Sequence, residues 1–194
     1  MSAPITKLLI FVNLAVYILE TTSESGLIDD FALWPLGPRF HSWQLVTYAF
    51  LHGNLPHILF NMFGLSMFGS DVEARLGTVR YLTYYSVSIV VAALVQIVIS
   101  NLTGGNYPTV GASGGIFGLL LAFAVYFPER VVVPLFPPIP MPARVFAFVY
   151  GGLELVLGIT GSQAGVAHFA HLGGMLGGFL LIAFWRMQGA ERRP

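Results

Sequence analysis

Long apolar stretches alternate with short polar segments along this chain, and their lengths predict membrane-spanning helices. Residues 81–128 contain no Asp, Glu, Lys, Arg or His. One span needs about 20 apolar residues, and the turn-like segment 101–108 divides this stretch into two. The whole pattern predicts an all-α, polytopic membrane protein with a bundle of six transmembrane helices in a single domain, residues 1–194. The expected spans are residues 5–20, 55–70, 79–100, 111–127, 144–160 and 166–186.

The composition supports a membrane protein and argues against other classes. The 194 residues are 56% hydrophobic and 9% charged, with a mean hydropathy of +0.76, whereas soluble domains are about 25% charged. A net charge of zero argues against a nucleic-acid partner, because such a partner calls for a strongly basic surface, so we expect none. Because the chain has no cysteine, disulfides, thiolate chemistry and thiolate metal sites are excluded.

The distribution of basic residues predicts the orientation of the spans. With six spans, one side of the membrane receives both termini and eight of the nine Lys and Arg residues, and the other side receives Arg39 alone. Cytoplasmic loops are enriched in Lys and Arg. We therefore expect both termini to be cytoplasmic. The eight residues are Lys7, Arg75, Arg80, Arg130, Arg144, Arg186, Arg192 and Arg193.

Two connections between the predicted spans are longer than simple turns. Residues 21–54 carry Trp34, Trp43 and several Phe and Leu residues, which predicts either a segment lying partly in the outer membrane interface or an ordinary packed cap. Five prolines between residues 134 and 142 predict an extended cytoplasmic connector.

Glycine spacing predicts a close contact between the fourth and sixth spans. Small side chains let membrane helices approach closely. The fourth span carries Ser113 near its outer end, and the sixth carries His171. If the glycines pack against each other, His171 comes within hydrogen-bond reach of Ser113. The glycines are Gly111, Gly114, Gly115 and Gly118 at spacing 0, 3, 4 and 7 in the fourth span, and Gly174 and Gly178 three and seven residues after His171 in the sixth.

The polar residues at this predicted contact suggest nucleophilic catalysis. A serine hydroxyl becomes a good nucleophile when an adjacent base takes its proton, and histidine has a suitable pKa. Attack on a carbonyl then builds an oxyanion that needs hydrogen-bond donors. His57 and Asn61 are four residues apart on one face of the second span. Their side chains and the Ser113 backbone amide are the candidate donors.

Three motifs at these residues resemble those of rhomboid intramembrane serine proteases, in the same order and in corresponding spans. By this resemblance, Ser113 is the nucleophile and His171 the general base of a two-residue dyad, and Asn61 and His57 stabilise the oxyanion. The resemblance implies a six-helix rhomboid-like bundle, transmembrane protein substrates, a setting in membrane lipid, and neither a cofactor nor a metal. The motifs are His57-Ile58-Leu59-Phe60-Asn61, Gly111-Ala112-Ser113-Gly114 with Gly118, and Ala170-His171-Leu172-Gly173-Gly174 with Gly178.

The resemblance extends to neighbouring positions. Phe117 stands where the family has an aromatic ring on the catalytic histidine, and residues 21–54 resemble the family's interfacial loop. Glu73 and the segment 75–77 resemble the end of the family's second span. Some members carry Trp-Arg in the interfacial loop, whereas this chain carries Trp43-Gln44. That loop and the fifth span are the implied gates for substrate.

Other functions are compatible with parts of the sequence. Rhomboid-like pseudoproteases bind membrane partners without catalysis, although such relatives usually lack the serine or the histidine. Gly111 to Gly115 also spells the nucleophile elbow of soluble hydrolases, but that elbow follows a strand. Four histidines predicted near the outer face are candidate ligands for a metal ion, but the sequence contains no His-Glu-x-x-His motif.

The sequence indicates the roles of three further polar residues less directly. His168 competes with His171 for the role of base, but its helical neighbours at three and seven residues are His171 and Met175 rather than glycines. We expect His52 to cap or hydrogen-bond the turn before the second span. Glu154 is the only acidic residue deep in a predicted span, and a carboxylate inside the membrane is a candidate for a functional role. The sequence does not identify the residue that pairs with it.

Overall fold

The computed structural model describes residues 3–22, 26–135, 137–161 and 166–189, and these are mostly helical. Arg192 and Arg193, which contribute to the predicted orientation, and residues 23–25 of the predicted loop lie outside the described residues. The elements are α1 (Pro4–Thr22), α2 (Leu27–Phe31), α3 (Gln44–Thr47), a 3-10 turn (Tyr48–Phe50), α4 (Leu55–Leu76), α5 (Thr78–Thr103), α6 (Ser113–Tyr126), β1 (Val131–Val132), β2 (Met141–Pro142), α7 (Ala143–Thr160) and α8 (His168–Met187).

The long apolar helices identify a multi-pass integral membrane protein. By length and composition, α1, α5, α7 and α8 can each cross a membrane, and α6 is a shorter apolar helix of 14 residues. Each of the six predicted segments falls on one of the helices α1 and α4–α8.

Helix α6 begins two residues after the start of the fourth predicted span. Gly111 has φ +121° and its N–H donates to the carbonyl of Tyr48, so it belongs to the preceding loop. This φ lies outside the helical region and suits glycine. Helix α6 therefore begins at Ser113, and Gly111 does not join the glycine stripe.

Helices α5, α6 and α8 form the centre of the bundle, where glycines allow very short distances between them. A Cβ added at Gly174 of α8 would overlap the carbonyl oxygen of Gly114 in α6. Tyr84 of α5, fully buried, donates its hydroxyl to the Gly118 carbonyl at 2.8 Å. Close helix approach through small residues is a general means of association in lipid, and here it fixes α6 against α8.

The α6 glycines do not all face α8. A Cβ at Gly115 would meet the ring of Tyr85 in α5, and one at Gly118 would overlap Ser88 of α5 and lie 3.1 Å from the Gly174 carbonyl. The predicted single stripe is thus divided between two partner helices, because α5 lies beside both α6 and α8.

Buried hydrogen bonds join α1 to α4. The Glu73 carboxylate accepts from the backbone N–H of Ile5 at 3.0 Å and of Thr6 at 2.8 Å, and from the Thr6 hydroxyl at 2.8 Å. These donors are among the first N–H groups of α1, which have no partner within the helix. Glu73 therefore caps α1 from a neighbouring helix.

The connection between α1 and α4 is an ordered loop organised by Gln44. The Gln44 side chain is fully buried and its amide makes four hydrogen bonds to the backbone of its own loop. Its oxygen accepts from Trp34 N at 3.3 Å and His41 N at 3.2 Å, and its nitrogen donates to Asp30 O at 3.1 Å and Arg39 O at 2.9 Å. A neutral amide thus holds the segments of this loop together.

The connector between α6 and α7 is a two-stranded antiparallel ribbon rather than a plain extended segment. Strand β1 pairs with β2 in the register Val131 opposite Pro142 and Val132 opposite Met141. Proline is tolerated at such strand positions because the ribbon has only edges. The side chains of Arg130 and Asp71 form an ion pair at 2.5 Å between this ribbon and the end of α4.

Candidate active site

Ser113 is the first residue of α6 and lies on the wall of a cavity of about 980 Å³. The cavity reaches the starts of three helices. Its polar lining includes Asn54, His57 and Asn61 from α4 and its cap, Ser113 from α6, and His171 from α8. The four residues singled out from the sequence, His57, Asn61, Ser113 and His171, all line this one cavity, and Asn54 is an addition that the sequence did not indicate.

The hydroxyl of Ser113 and the imidazole of His171 are in direct contact. Ser113 Oγ lies 2.7 Å from His171 Nε2, a hydrogen-bond distance. The Gly114–Gly174 contact lies next to this pair, since Gly114 follows Ser113 and Gly174 is one turn after His171. Close packing of α6 and α8 therefore sets the distance between hydroxyl and ring.

Phe117 fixes the plane of the His171 ring. The two rings are stacked, with centroids 4.4 Å apart and planes 3° from parallel. His171 is 9% exposed. Stacking on one face and burial restrict rotation of the imidazole, so Nε2 is held toward Ser113.

His57 and Asn61 enter the cavity from the first turns of α4. Asn54 caps this helix by accepting from His57 N at 2.8 Å, and Pro56 follows in the first turn. The Asn61 side-chain amide donates to the His57 carbonyl at 2.9 Å. One of its two N–H groups makes this bond, which orients the side chain.

The loop before Ser113 approaches His57 closely. A Cβ added at Gly111 would lie 2.7 Å from His57 Nε2. Backbone bonds hold this loop to the α1–α4 connection: Leu33 and Thr109 exchange N–H···O bonds of 2.9 Å, and Gly111 N donates to Tyr48 O at 2.9 Å. The loop that leads into Ser113 is thereby kept close to the His57 ring at Gly111.

His52 was expected either to cap α4 or to hydrogen-bond the turn before it, and Asn54 takes the capping role. His52 is 2% exposed and its ring contacts His57 edge-on, with centroids 5.1 Å apart. Its backbone N–H donates to the Glu20 carboxylate of α1. Burial first, and then the nearby His57, lower the pKa of His52 to about 4, so its ring is neutral at physiological pH.

Glu154 of α7 is the site residue whose partners the sequence left open. Its Oε2 lies 2.6 Å from His168 Nδ1 and 2.9 Å from His171 Nδ1. The bond to His168 has hydrogen-bond geometry, whereas the His171 N–H is not aligned with the carboxylate. His168 thus faces Glu154, and His171 alone of the two reaches Ser113.

The same three residues could hold a metal ion. One ligand atom from each of Glu154, His168 and His171 lies within 4.8 Å of the others. Two imidazole nitrogens and a carboxylate oxygen are ligands that zinc accepts. This cluster differs from the four histidines considered from the sequence, because it includes Glu154 and neither His52 nor His57.

Comparison with known proteins identifies relatives over nearly the whole chain. The family model of the rhomboid domain matches residues 39–188. Rhomboid protease GlpG of Yersinia pestis (strain Pestoides F) and that of Yersinia enterocolitica are each 29% identical to the chain in an alignment 204 positions long. In both cases 98% of this chain is covered. The chain spans 66% of the length of these relatives, slightly less than two thirds.

Proposed function

The chain belongs to the rhomboid family, and from that membership we propose that it is an intramembrane serine endopeptidase. Its substrates are membrane-anchored proteins, cut in or near a transmembrane segment. The observation that carries the proposal is the 2.7 Å distance between Ser113 Oγ and His171 Nε2 beside a polar cavity. Buried polar groups inside a membrane protein are costly and commonly mark a functional site.

In the proposed reaction, Ser113 is the nucleophile and His171 the general base. Ser113 Oγ attacks the scissile carbonyl carbon while its proton passes to His171 Nε2. Collapse of the tetrahedral intermediate breaks the C–N bond, and the imidazolium gives its proton to the departing amine. Water then hydrolyses the acyl-enzyme, with His171 again taking a proton. The chemistry uses neither a cofactor nor a metal.

Asn61, His57 and the Ser113 N–H are the proposed oxyanion donors. The Asn61 amide uses one N–H for the His57 carbonyl, and we assign its second to the developing negative charge. The Ser113 amide is at the start of a 14-residue helix, where N–H groups lack intrahelical partners and the dipole favours an anion. Donors fixed before the reaction stabilise charge that appears only in the transition state.

The proposed membrane arrangement has six spans, α1 and α4–α8, in one domain with both termini cytoplasmic. The eight-to-one distribution of basic residues supports it. It places the cavity toward the outer face, under the loop held by Gln44. Water needed for hydrolysis enters there, and a substrate helix must unwind locally because a helical peptide bond is shielded.

Labelling by a fluorophosphonate serine probe tests the proposal on the full chain in detergent and in proteoliposomes. We expect labelling of the wild type, together with cleavage of a model transmembrane substrate, and neither in Ser113→Ala. Equal labelling of wild type and Ser113→Ala would move the nucleophile elsewhere. A folded wild type with neither labelling nor cleavage would favour a non-catalytic rhomboid-like binding protein. Loss of cleavage on adding a chelator would favour a metal-dependent reaction at Glu154, His168 and His171.

A further inference from the structure

Glu154 brings a carboxylate to the base of the proposed dyad, although the proposed chemistry assigns it no role. It is the only acid in α7. It is 9% exposed, in a helix whose other buried residues, Ala143, Phe146 and Ala147, all lie in its first two turns. Leaving such a group buried is costly unless it is paired. The partners it has are the two histidines at the start of α8.

The His171 ring lies between the Ser113 hydroxyl and the Glu154 carboxylate. Nε2 is 2.7 Å from Ser113 Oγ, and Nδ1 is 2.9 Å from Glu154 Oε2. A hydroxyl, an imidazole and a carboxylate in this order are the arrangement that soluble serine hydrolases use. Here the carboxylate is supplied by a different helix from either member of the dyad.

Resting on the proposed function, we propose that Glu154 is a positioning residue for the general base, so that the site operates with three members rather than two. The carboxylate favours the tautomer with the proton on Nδ1, which leaves the Nε2 lone pair for the Ser113 proton. When that proton arrives, His171 becomes an imidazolium 2.9 Å from a negative charge. Attraction at this distance is strong in a buried site.

Phe117 and His168 contact the two members of this pair. His168 Nδ1 donates to the same carboxylate oxygen at 2.6 Å, which gives Glu154 a second partner on α8. Phe117 keeps the His171 ring in plane by stacking. Since the His171 N–H is not aligned with Oε2, the contact acts mainly as an ion pair once the ring is protonated. A small rotation of the carboxylate would align it.

The inference also makes catalysis depend on the position of α7. Glu154 is the one buried side chain in the outer part of that helix. Moving the outer end of α7 away from α8 therefore removes the carboxylate from His171 while leaving Ser113 and His171 on α6 and α8. If a substrate displaces α7 as it enters, Glu154 moves away from His171. The carboxylate then assists His171 fully only after α7 has returned to its position beside α8.

The test compares Glu154→Gln and Glu154→Asp with wild type in cleavage of a transmembrane substrate and in fluorophosphonate labelling. We expect Glu154→Gln to lower kcat by about 10²–10³-fold with KM changed by less than about threefold, because it loses only assistance to the base. Glu154→Asp keeps the negative charge, so its kcat should be at least about tenfold higher than that of Glu154→Gln. Thermal unfolding and gel filtration verify that each variant is folded.

His168→Leu is the control for a structural role. It removes the hydrogen bond between α7 and α8 but leaves the carboxylate near His171. We expect it to lower kcat by less than about tenfold. Three results would overturn the inference. The first is a wild-type kcat in folded Glu154→Gln, and the second is an equal loss of kcat in Glu154→Gln and His168→Leu. The third is a loss of activity in both Glu154 variants that only matches their loss of folded protein. A wild type lacking all activity refutes the proposed function, and with it this inference, whereas the other three results leave the proposed function standing.

Discussion

The contact between Gly114 and Gly174 predicts that one added methyl group will disable the site from a distance. A Cβ at Gly174 would overlap the Gly114 carbonyl oxygen and lie 3.1 Å from Gly114 Cα. Ordinary Cβ contacts are 3.4 Å or longer. In Gly174→Ala, α6 and α8 must therefore separate by roughly 1–2 Å at this level, since backbone atoms cannot rotate away as a flexible side chain can.

This separation is large relative to the hydrogen bond beside it. Ser113 Oγ and His171 Nε2 are 2.7 Å apart, so an added 1–2 Å takes the pair beyond about 3.6 Å, where no hydrogen bond remains. Misplacement of reacting groups by about 1 Å can cost 10²-fold in rate. We expect Gly174→Ala to lower kcat/KM and the labelling rate by at least about 10²-fold, and stability by about 1–3 kcal/mol.

Gly152→Ala is the matched control. Gly152 is also a helical glycine, in α7, but among the residues that the structure describes, nothing beyond its chain neighbours and its own helix backbone lies within 4 Å of a Cβ built there. The added methyl should leave kcat/KM within about twofold and stabilise the helix by up to about 1 kcal/mol. Both variants are measured in proteoliposomes, with thermal unfolding in detergent. Wild-type cleavage by Gly174→Ala would show that the α6–α8 contact does not set the distance between hydroxyl and ring.

Three further predictions concern residues around the cavity. Asn61→Ala should fold normally and lower kcat by about 10²–10³-fold through loss of an oxyanion donor; unchanged cleavage would remove Asn61 from the mechanism. Gln44→Leu should lower the unfolding free energy by about 2–4 kcal/mol, because four loop backbone groups lose their partner; a shift in thermal midpoint under 1 °C would contradict this. The pKa of His52 is about 4 in the folded protein, against an ordinary value of 6.5, so between these two values the unfolded chain binds a proton that the folded protein does not. The unfolding free energy is therefore highest above pH 6.5, and it decreases by up to about 3 kcal/mol as the pH falls toward 4. Thermal unfolding of wild type should therefore be more acid-sensitive between pH 6.5 and 4 than that of His52→Gln, and identical pH dependence would refute the assignment.

The helices could be predicted from the sequence because the length of an apolar run directly limits a membrane span. The ends of α5 and α7 differ from the predicted bounds by three residues or fewer. Gly111 could not be assigned correctly from spacing. Its positive φ depends on a backbone bond to Tyr48, more than sixty residues earlier, and helical periodicity contains no information about such a bond.

The juxtaposition of Ser113 and His171 was predictable because both residues are adjacent to glycines that permit close packing. The way in which the glycines are shared was not. Gly115 packs on Tyr85 and a Cβ at Gly178 would overlap the Tyr84 hydroxyl, so α5 takes part of the surface that the sequence assigned to a single contact. The spacing of glycines shows that a close neighbour exists, but two neighbours on adjacent sides produce the same spacing.

Glu154 and Gln44 show that the sequence can identify a polar residue in apolar surroundings but not the group that it pairs with. A polar side chain in an apolar helix or a buried loop must have a partner, because an unpaired one would cost too much free energy. That rule identifies Glu154 as a residue with a partner, but the rotation of α7 about its axis decides whether the partner is lipid headgroup, water or histidine. Ala147 lies two turns before Glu154 on the same face of α7, and it is part of the apolar core together with Phe146. We infer that this apolar packing helps to set the rotation of α7, so substitutions at these two positions should change the distance between the Glu154 carboxylate and His171.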